Sequence, residues 1–198
     1  MSLFNKVAFY PTLFYNVVMT KISSRKWYDR IDETVLLGAL PFRGMTKWFV
    51  QEENVRGVVT LNEDWELEDF CNTEKEWKAV DVTQLKIPTV DFTGSPSQDN
   101  INKAVDFIVH HKDNHLGSVY VHCKAGRTRS ATVVACYLVR VHGWSPERAV
   151  QFIQEKRPHI WLRDKQLDSI QQFYNMCNNS SNNNNNNNSS SATTKAGA

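Results

Sequence analysis

The four cysteines, Cys71, Cys123, Cys136 and Cys177, include no Cys-x-x-Cys pair and no zinc-ligand spacing. A disulfide framework and a structural metal are therefore not expected, and free thiols fit a reducing compartment. An excess of one charge is also missing. With 23 basic and 21 acidic residues the chain carries only +2, so it has no general nucleic-acid footprint. Long apolar runs are absent too. Residues 7–19 come nearest but are interrupted by Pro11, and a spanning helix needs about 20 apolar residues. Acid is missing from the first 28 residues, which contain Lys6, Lys21, Arg25 and Lys26, so the remainder is net acidic. That composition fits a mitochondrial targeting segment, an interfacial membrane anchor, or a helix packed on the domain. From Asn178 the composition narrows to Asn, Ser, Thr and Ala, which cannot bury apolar surface and is expected to be disordered. The 198 residues thus divide into a basic apolar targeting or membrane-contact segment (1–26), one domain (27–177) and a polar tail (178–198).

What is present centres on residues 118–142. Val119, Tyr120 and Val121 are β-formers and read as a short buried strand. His122-Cys123 ends it, Lys124 to Arg129 is a tight loop containing Gly126, and an apolar helix follows from Ser130. Strand, tight loop and helix N-terminus make an anion site, because loop and first-turn N–H groups converge on one point. The spacing Cys-x5-Arg lets the loop wrap a tetrahedral anion, with the Cys123 sulfur beneath phosphorus and the planar Arg129 fork on two oxygens. The same N–H groups and the helix dipole favour a thiolate, in the range of about 3.5–7.5 instead of ~8.5. Ser130 donates to that sulfur and makes it a better leaving group. At about 5% usage per residue type, the five fixed positions of His-Cys-x-x-Gly-x-x-Arg-Ser match by chance roughly once in several million windows. A plain core cysteine beside a basic turn is the weaker explanation.

Elsewhere the pattern is α/β. Residues 34–37 read as an edge strand, 45–53 as a helix with Met45, Trp48 and Phe49 as its core stripe, and 55–61 as a strand. Glu63, Asp64, Glu66, Glu68 and Asp69 cluster around Trp65. They form either a solvated loop or an active-site loop at a strand's C-terminal end. Residues 86–92 read as an irregular strand because of Pro88. Asp91 then begins a loop. It either shapes a turn or serves as the general acid, since an alkoxide leaving group needs a proton. Thr73, Ser97 or Asp99, Ser145 and Asp164 are N-cap candidates and Gly143 a C-cap. His110, His111 and His115 are expected to be exposed at a helix C-terminus, with no metal-ligand partner.

The loop residues resemble the cysteine-dependent phosphatase superfamily. Leu36-Leu37-Gly38-Ala39-Leu40-Pro41, Glu52-Glu53-Asn54-Val55-Arg56-Gly57-Val58, residues 27–32, 71–77 and 121–131, and Trp144-Ser145-Pro146 extend the likeness. They are similar to one branch of the dual-specificity phosphatases, the mitochondrial protein-tyrosine-phosphatase-like enzymes acting on phosphatidylglycerophosphate. The resemblance implies a dual-specificity phosphatase-like α/β fold: a central mixed sheet flanked by helices, with the Cys-x5-Arg loop between a strand and a helix. It implies Cys123 as nucleophile, Arg129 as phosphate ligand, Asp91 as general acid and Ser130 as sulfur donor. Lys124, Ala125, Gly126, Arg127, Thr128 and Arg129 would line the substrate site. Asn62-Glu63-Asp64-Trp65-Glu66 stands where the family has Asn-Glu-Glu-Tyr-Glu, which gives weight to Glu63 and Glu66. Arg163-Asp164-Lys165-Gln166 replaces a family Arg-Pro-Ser-Gln. The expected reaction converts phosphatidylglycerophosphate to phosphatidylglycerol, a cardiolipin precursor, without cofactor or metal. The expected location is the matrix side of the mitochondrial inner membrane, with an anionic membrane surface as partner. A protein phosphatase acting on phosphotyrosine or phosphothreonine shares the loop chemistry and is the alternative. Lys124 and Arg127 add loop cations beyond Arg129, which suits a substrate with a second phosphate.

Overall fold

The computed structural model describes residues 3–91 and 94–189. The chain runs α1 (Leu3–Ile22), β1 (Tyr28–Arg30), β2 (Val35–Gly38), α2 (Thr46–Gln51), β3 (Val55–Thr60), α3 (Glu74–Lys78) and β4 (Thr83–Lys86). It continues through α4 (Gln98–Asp113), β5 (Ser118–His122), α5 (Arg129–His142), α6 (Pro146–Lys156) and α7 (Asp164–Ser189). Single 3-10 turns at Arg43–Met45 and Asp64–Glu66 precede α2 and follow β3.

The five strands form one mixed sheet in the order β1-β2-β5-β3-β4. β1 is antiparallel to β2, and the other neighbours are parallel. β5 lies at the centre, and all five of its residues are buried, as befits a parallel strand covered on both faces. The larger core lies between the sheet and α4–α7, around Val119, Val121, Ile108, Val134, Leu138 and Phe173. On the other face α2 and α3 bring Phe49 and Trp77 against Leu36, Val58 and Tyr120. A third, smaller cluster joins Phe9 and Leu13 of α1 to Leu40, Leu67 and Cys71.

Four of the expected caps form, each with a local cause, whereas Asp164 is the first residue of α7 and not its N-cap. Thr73 and Glu76 form a reciprocal capping box on α3. Ser97 and Ser145 accept from the third residue of α4 and α6. Gly143 ends α5 in the left-handed region at φ 64°.

Four local expectations change. Residues 34–37 are not an edge: β2 is interior, because the three-residue β1, too short to show a periodicity, covers it. The strand expected over 86–92 is displaced to Thr83–Lys86, where it pairs with β3; Pro88, which lacks an N–H for a ladder, falls outside it. His111 is buried, not exposed, with Nδ1 2.9 Å from the Phe107 carbonyl oxygen. Trp48 is exposed, leaving Phe49 as the core residue of α2.

The basic N-terminal stretch forms α1, and no helix among the described residues is long and apolar enough to cross a membrane. The tail expectation falls on the end of α7 and on residues 190–198, which lie outside the described residues.

Candidate active site

The 123–129 loop leaves the C-terminal end of the central strand and enters α5. β5 fixes one end in the middle of the sheet, and the apolar α5, buried from Arg129 to Val139, fixes the other. Between them Gly126 takes φ 64°, and a Cβ there would lie 2.4 Å from the Gly38 carbonyl carbon. Glycine is therefore required twice, by conformation and by the close approach of the β2 end.

Cys123 is buried at the base of the loop, and the Ser130 hydroxyl donates to its Sγ at 3.3 Å. Burial pushes the thiol up. The Arg129 charge, the Ser130 hydroxyl and the Ser130 N–H more than offset it, so the net shift is down, toward thiolate. His122 is also buried, and burial holds it down at about 3; it is a neutral ring at pH 7, with Nε2 2.9 Å from Thr60 Oγ1.

Arg129 is fixed on its far side by Glu66. Nη1 and Nη2 each donate to one carboxylate oxygen at 3.1 Å, a bidentate pair. Nη1 also donates to the carbonyls of Thr89 at 2.8 Å and Leu61 at 3.3 Å. Burial favours the neutral guanidine, but Glu66, Asp91 and Cys123 outweigh it and hold Arg129 cationic. Glu66, itself fully buried, accepts a hydrogen bond from Asn62. Asp91 approaches from the loop after β4. Its Oδ1 lies 3.0 Å from Arg129 Nη2, and its Oδ2 pairs with Lys124 Nζ.

Cys123, Asp91 and Arg129 open onto one cavity of ≈ 270 Å³. Lys124, Ala125, Arg127 and Thr128 also line it. Not all of the expected residues present the same groups to it. Lys124 is buried, pairs with Asp91, and sits 5.6 Å over the Phe9 ring. Thr128 gives its hydroxyl to the Trp161 carbonyl at 2.8 Å. Arg127 donates from Nε to the His159 carbonyl at 2.9 Å. Glu66 stands behind Arg129, and neither it nor Glu63 lines the cavity; Glu63 Oε2 is buried without a hydrogen-bond partner among the described residues.

Sequence reasoning missed three contributors. The first is Arg157, which lies just past the end of α6. Its side chain is buried beneath the loop, donating to Gly126 O at 2.8 Å and Ala125 O at 3.2 Å while pairing with Asp29 at 2.6 Å. In a trans peptide the N–H points opposite the preceding carbonyl. Arg157 thus turns the Gly126 and Arg127 N–H groups away from itself, toward the concave side. The second is Gln166, whose Nε2 donates to Gly94 O at 3.1 Å and ties α7 to the Asp91 loop. The third is α1: Thr12, Tyr15 and Asn16 line the cavity, as do Trp161 and Arg163. Phe9 anchors that helix on the Glu66 turn, with its ring 5.1 Å from Trp65. No local pattern marks these residues, since each acts on a segment far away in the chain.

Comparison with known proteins agrees with this geometry. The dual specificity phosphatase catalytic domain matches residues 50–176. Phosphatidylglycerophosphatase and protein-tyrosine phosphatase 1 of Rattus norvegicus is 53% identical over 173 residues, covering 85% of this chain and 89% of that protein. Phosphatidylglycerophosphate phosphatase PTPMT1 of Arabidopsis thaliana is 40% identical over 173 residues, covering 86% of this chain and 50% of that protein. Among solved structures, the crystal structure of PTPMT1 in complex with PI(5)P superposes with a TM-score of 0.77 at 49% identity, covering 79% of this chain and 99% of that one. A catalytic-domain match over most of the chain, and a relative 53% identical across nearly its whole length, have one meaning: this chain belongs to the dual-specificity phosphatase family.

Proposed function

We propose that this protein is a cysteine-dependent lipid phosphatase that removes the terminal phosphate of phosphatidylglycerophosphate to give phosphatidylglycerol. The observation that carries the reading is the pairing of a stabilised thiolate with Asp91, in one cavity walled by α1 and Trp161. The rat and Arabidopsis relatives are both named for this phosphatase activity, which supports the same substrate.

The reaction has two steps. The Cys123 thiolate attacks phosphorus in line with the ester oxygen, forming an S–P bond as the P–O bond breaks. Once the substrate phosphate draws Arg129 away from Asp91, that carboxyl enters the step protonated and gives its proton to the leaving alkoxide, whose pKa is far above 7. Arg129, held flat by Glu66, takes two equatorial oxygens, whose charge the inward N–H groups and the α5 N-terminus also offset. Water then attacks the cysteinyl phosphate, Asp91 takes the water's proton, and inorganic phosphate leaves as the thiolate re-forms. Ser130 donates to the departing sulfur. Glu66 and Arg157 position Arg129 and the loop without touching substrate.

The mitochondrial setting, the matrix face of the inner membrane and the supply of phosphatidylglycerol for cardiolipin belong to the same proposal. The basic, acid-free N-terminal stretch supports them, as does the outward face of α1, where Val7, Phe14 and Ile22 are exposed. The rat relative's name also includes protein-tyrosine phosphatase, so a phosphotyrosine peptide is the proper competitor. Phosphate release from phosphatidylglycerophosphate in vesicles, beside that peptide, tests the proposal with Cys123→Ser as control. Turnover favouring the lipid, and lost in the control, is expected. Peptide turnover with the lipid at background would move the substrate to protein.

A further inference from the structure

A second cleft opens beside the active-site cavity. Ser24, Arg25, Arg127, His159 and Trp161 line it, and Arg127 and Trp161 belong to both spaces. Its two cations are unbalanced: among the described residues no carboxylate pairs with Arg25 or Arg127. Arg127 is fixed through Nε by the His159 carbonyl and lies over the Trp161 ring, 5.6 Å from its centroid. That leaves its two terminal nitrogens as donors. Arg25 follows directly on α1, the helix that forms the cavity wall. Burial and the charge of Arg25 hold Arg127 below the ordinary guanidinium value, and His159, pushed down to about 3 by burial and by Arg157, Arg25 and Arg127, is neutral. An anion placed here relieves repulsion between two neighbouring cations, and guanidinium forks suit phosphate oxygens. Lys124 lies outside this cleft, in the Cys123 cavity, where it pairs with Asp91.

We propose that Arg25 and Arg127 form a second anion subsite, contiguous with the Cys123 site, that binds a phosphodiester while the monoester occupies the loop. The inference rests on the lipid reading above. It names what that reading leaves open: how a headgroup with two phosphates is preferred over one with a single phosphate. The second anion is either the diester of the same lipid or the headgroup of a neighbouring anionic lipid, and the two sources are separable.

The experiment measures kcat/KM of the full chain on phosphatidylglycerophosphate and on phosphatidate, each diluted in phosphatidylcholine vesicles, whose headgroups are net neutral. Both lipids present a monoester, but only the first carries a diester. Arg25→Gln is compared with Lys21→Gln, which removes the same charge from an exposed position of α1 outside the cleft. With Arg25→Gln, the ratio of the two kcat/KM values is expected to fall about tenfold, the loss typical of a charge-assisted hydrogen bond. Lys21→Gln is expected to move both lipids together, through membrane attraction alone. Arg25→Lys, which keeps the charge without the fork, is expected to recover part of the ratio. A ratio unchanged in Arg25→Gln, or an effect that appears only when anionic lipid is added to the vesicles and is equal for both substrates, overturns the same-lipid subsite. Wild-type turnover of an aryl phosphate with none of either lipid would instead overturn the lipid reading itself.

Discussion

Arg157→Met separates the support of the loop from its chemistry. The substitution keeps a long apolar stem but removes the charge and every donor, so packing loss stays small. Two loop carbonyls, Gly126 O and Ala125 O, lose their donors, as does the Lys26 carbonyl at 3.2 Å, while the Trp27 carbonyl keeps the Ala39 N–H at 2.9 Å. Asp29, paired at 2.6 Å, becomes an uncompensated carboxylate. Breaking a buried ion pair from one side costs about 3–5 kcal/mol. The Asp29 side chain is 12% exposed, so water reaches it and the lower half of that range applies. The orphaned carbonyls each add something on the order of 1 kcal/mol, not additively. A loss of about 4 kcal/mol is therefore expected, roughly a third of a typical domain's stability. At about 2–4 °C per kcal/mol for a chain of this size, Tm falls by about 8–16 °C. Aryl-phosphate kcat/KM, measured well below that Tm, should fall at least ~10-fold, because the Gly126 and Arg127 N–H groups are no longer held inward. Adding Asp29→Asn should recover part of the Tm and little of the activity. A Tm within about 2 °C of wild type, together with kcat/KM within about twofold, would refute the claim that Arg157 supports the loop.

Two further predictions concern the chemistry. Asp91→Asn removes the proton donor and should slow alkyl phosphates far more than aryl phosphates with good leaving groups, by about 10²-fold or more against a few-fold; equal losses would argue against the acid role. In alkylation by iodoacetamide, the Cys123 midpoint should lie below the ~8.5 of an ordinary thiol and move up in Ser130→Ala, which loses one of the groups that favour the thiolate. Because the folded pKa is depressed, the stability this thiolate gains is fully present above the unfolded value and is lost as pH falls through the folded one.

The chemistry of the site was legible because it is local. Cys123, Gly126, Arg129 and Ser130 fall within eight consecutive residues, where strand end, tight turn and helix start are all written in adjacent residue types. The helix caps were legible for the same reason: Thr73 reaches only to Glu76, and Ser145 only to Arg148. The acidic turn was legible as a cluster but not as a set of roles. Whether Glu63 or Glu66 faces Arg129 depends on the turn at Asp64–Glu66, and the structure chooses Glu66.

Tertiary structure alone decided the rest. Arg157 meets the loop across 31 residues and Lys26 across 131, and no periodicity spans such distances. Sequence marked Lys124 as a loop cation, but only folding sets it in the cavity beside Asp91 and over the Phe9 ring, since the burial of one charge is tolerable only beside its opposite. A basic, apolar N-terminus determined by composition that some surface would attract it. Only packing, through Phe9 and Leu13 on the third cluster, made α1 a wall of the catalytic cavity and brought Arg25 beside Arg127. Local sequence sets which groups are reactive, because backbone conformation and hydrogen bonds act over a few residues. Which distant groups hold, cover or neighbour them depends on how the sheet and helices bury their apolar faces together.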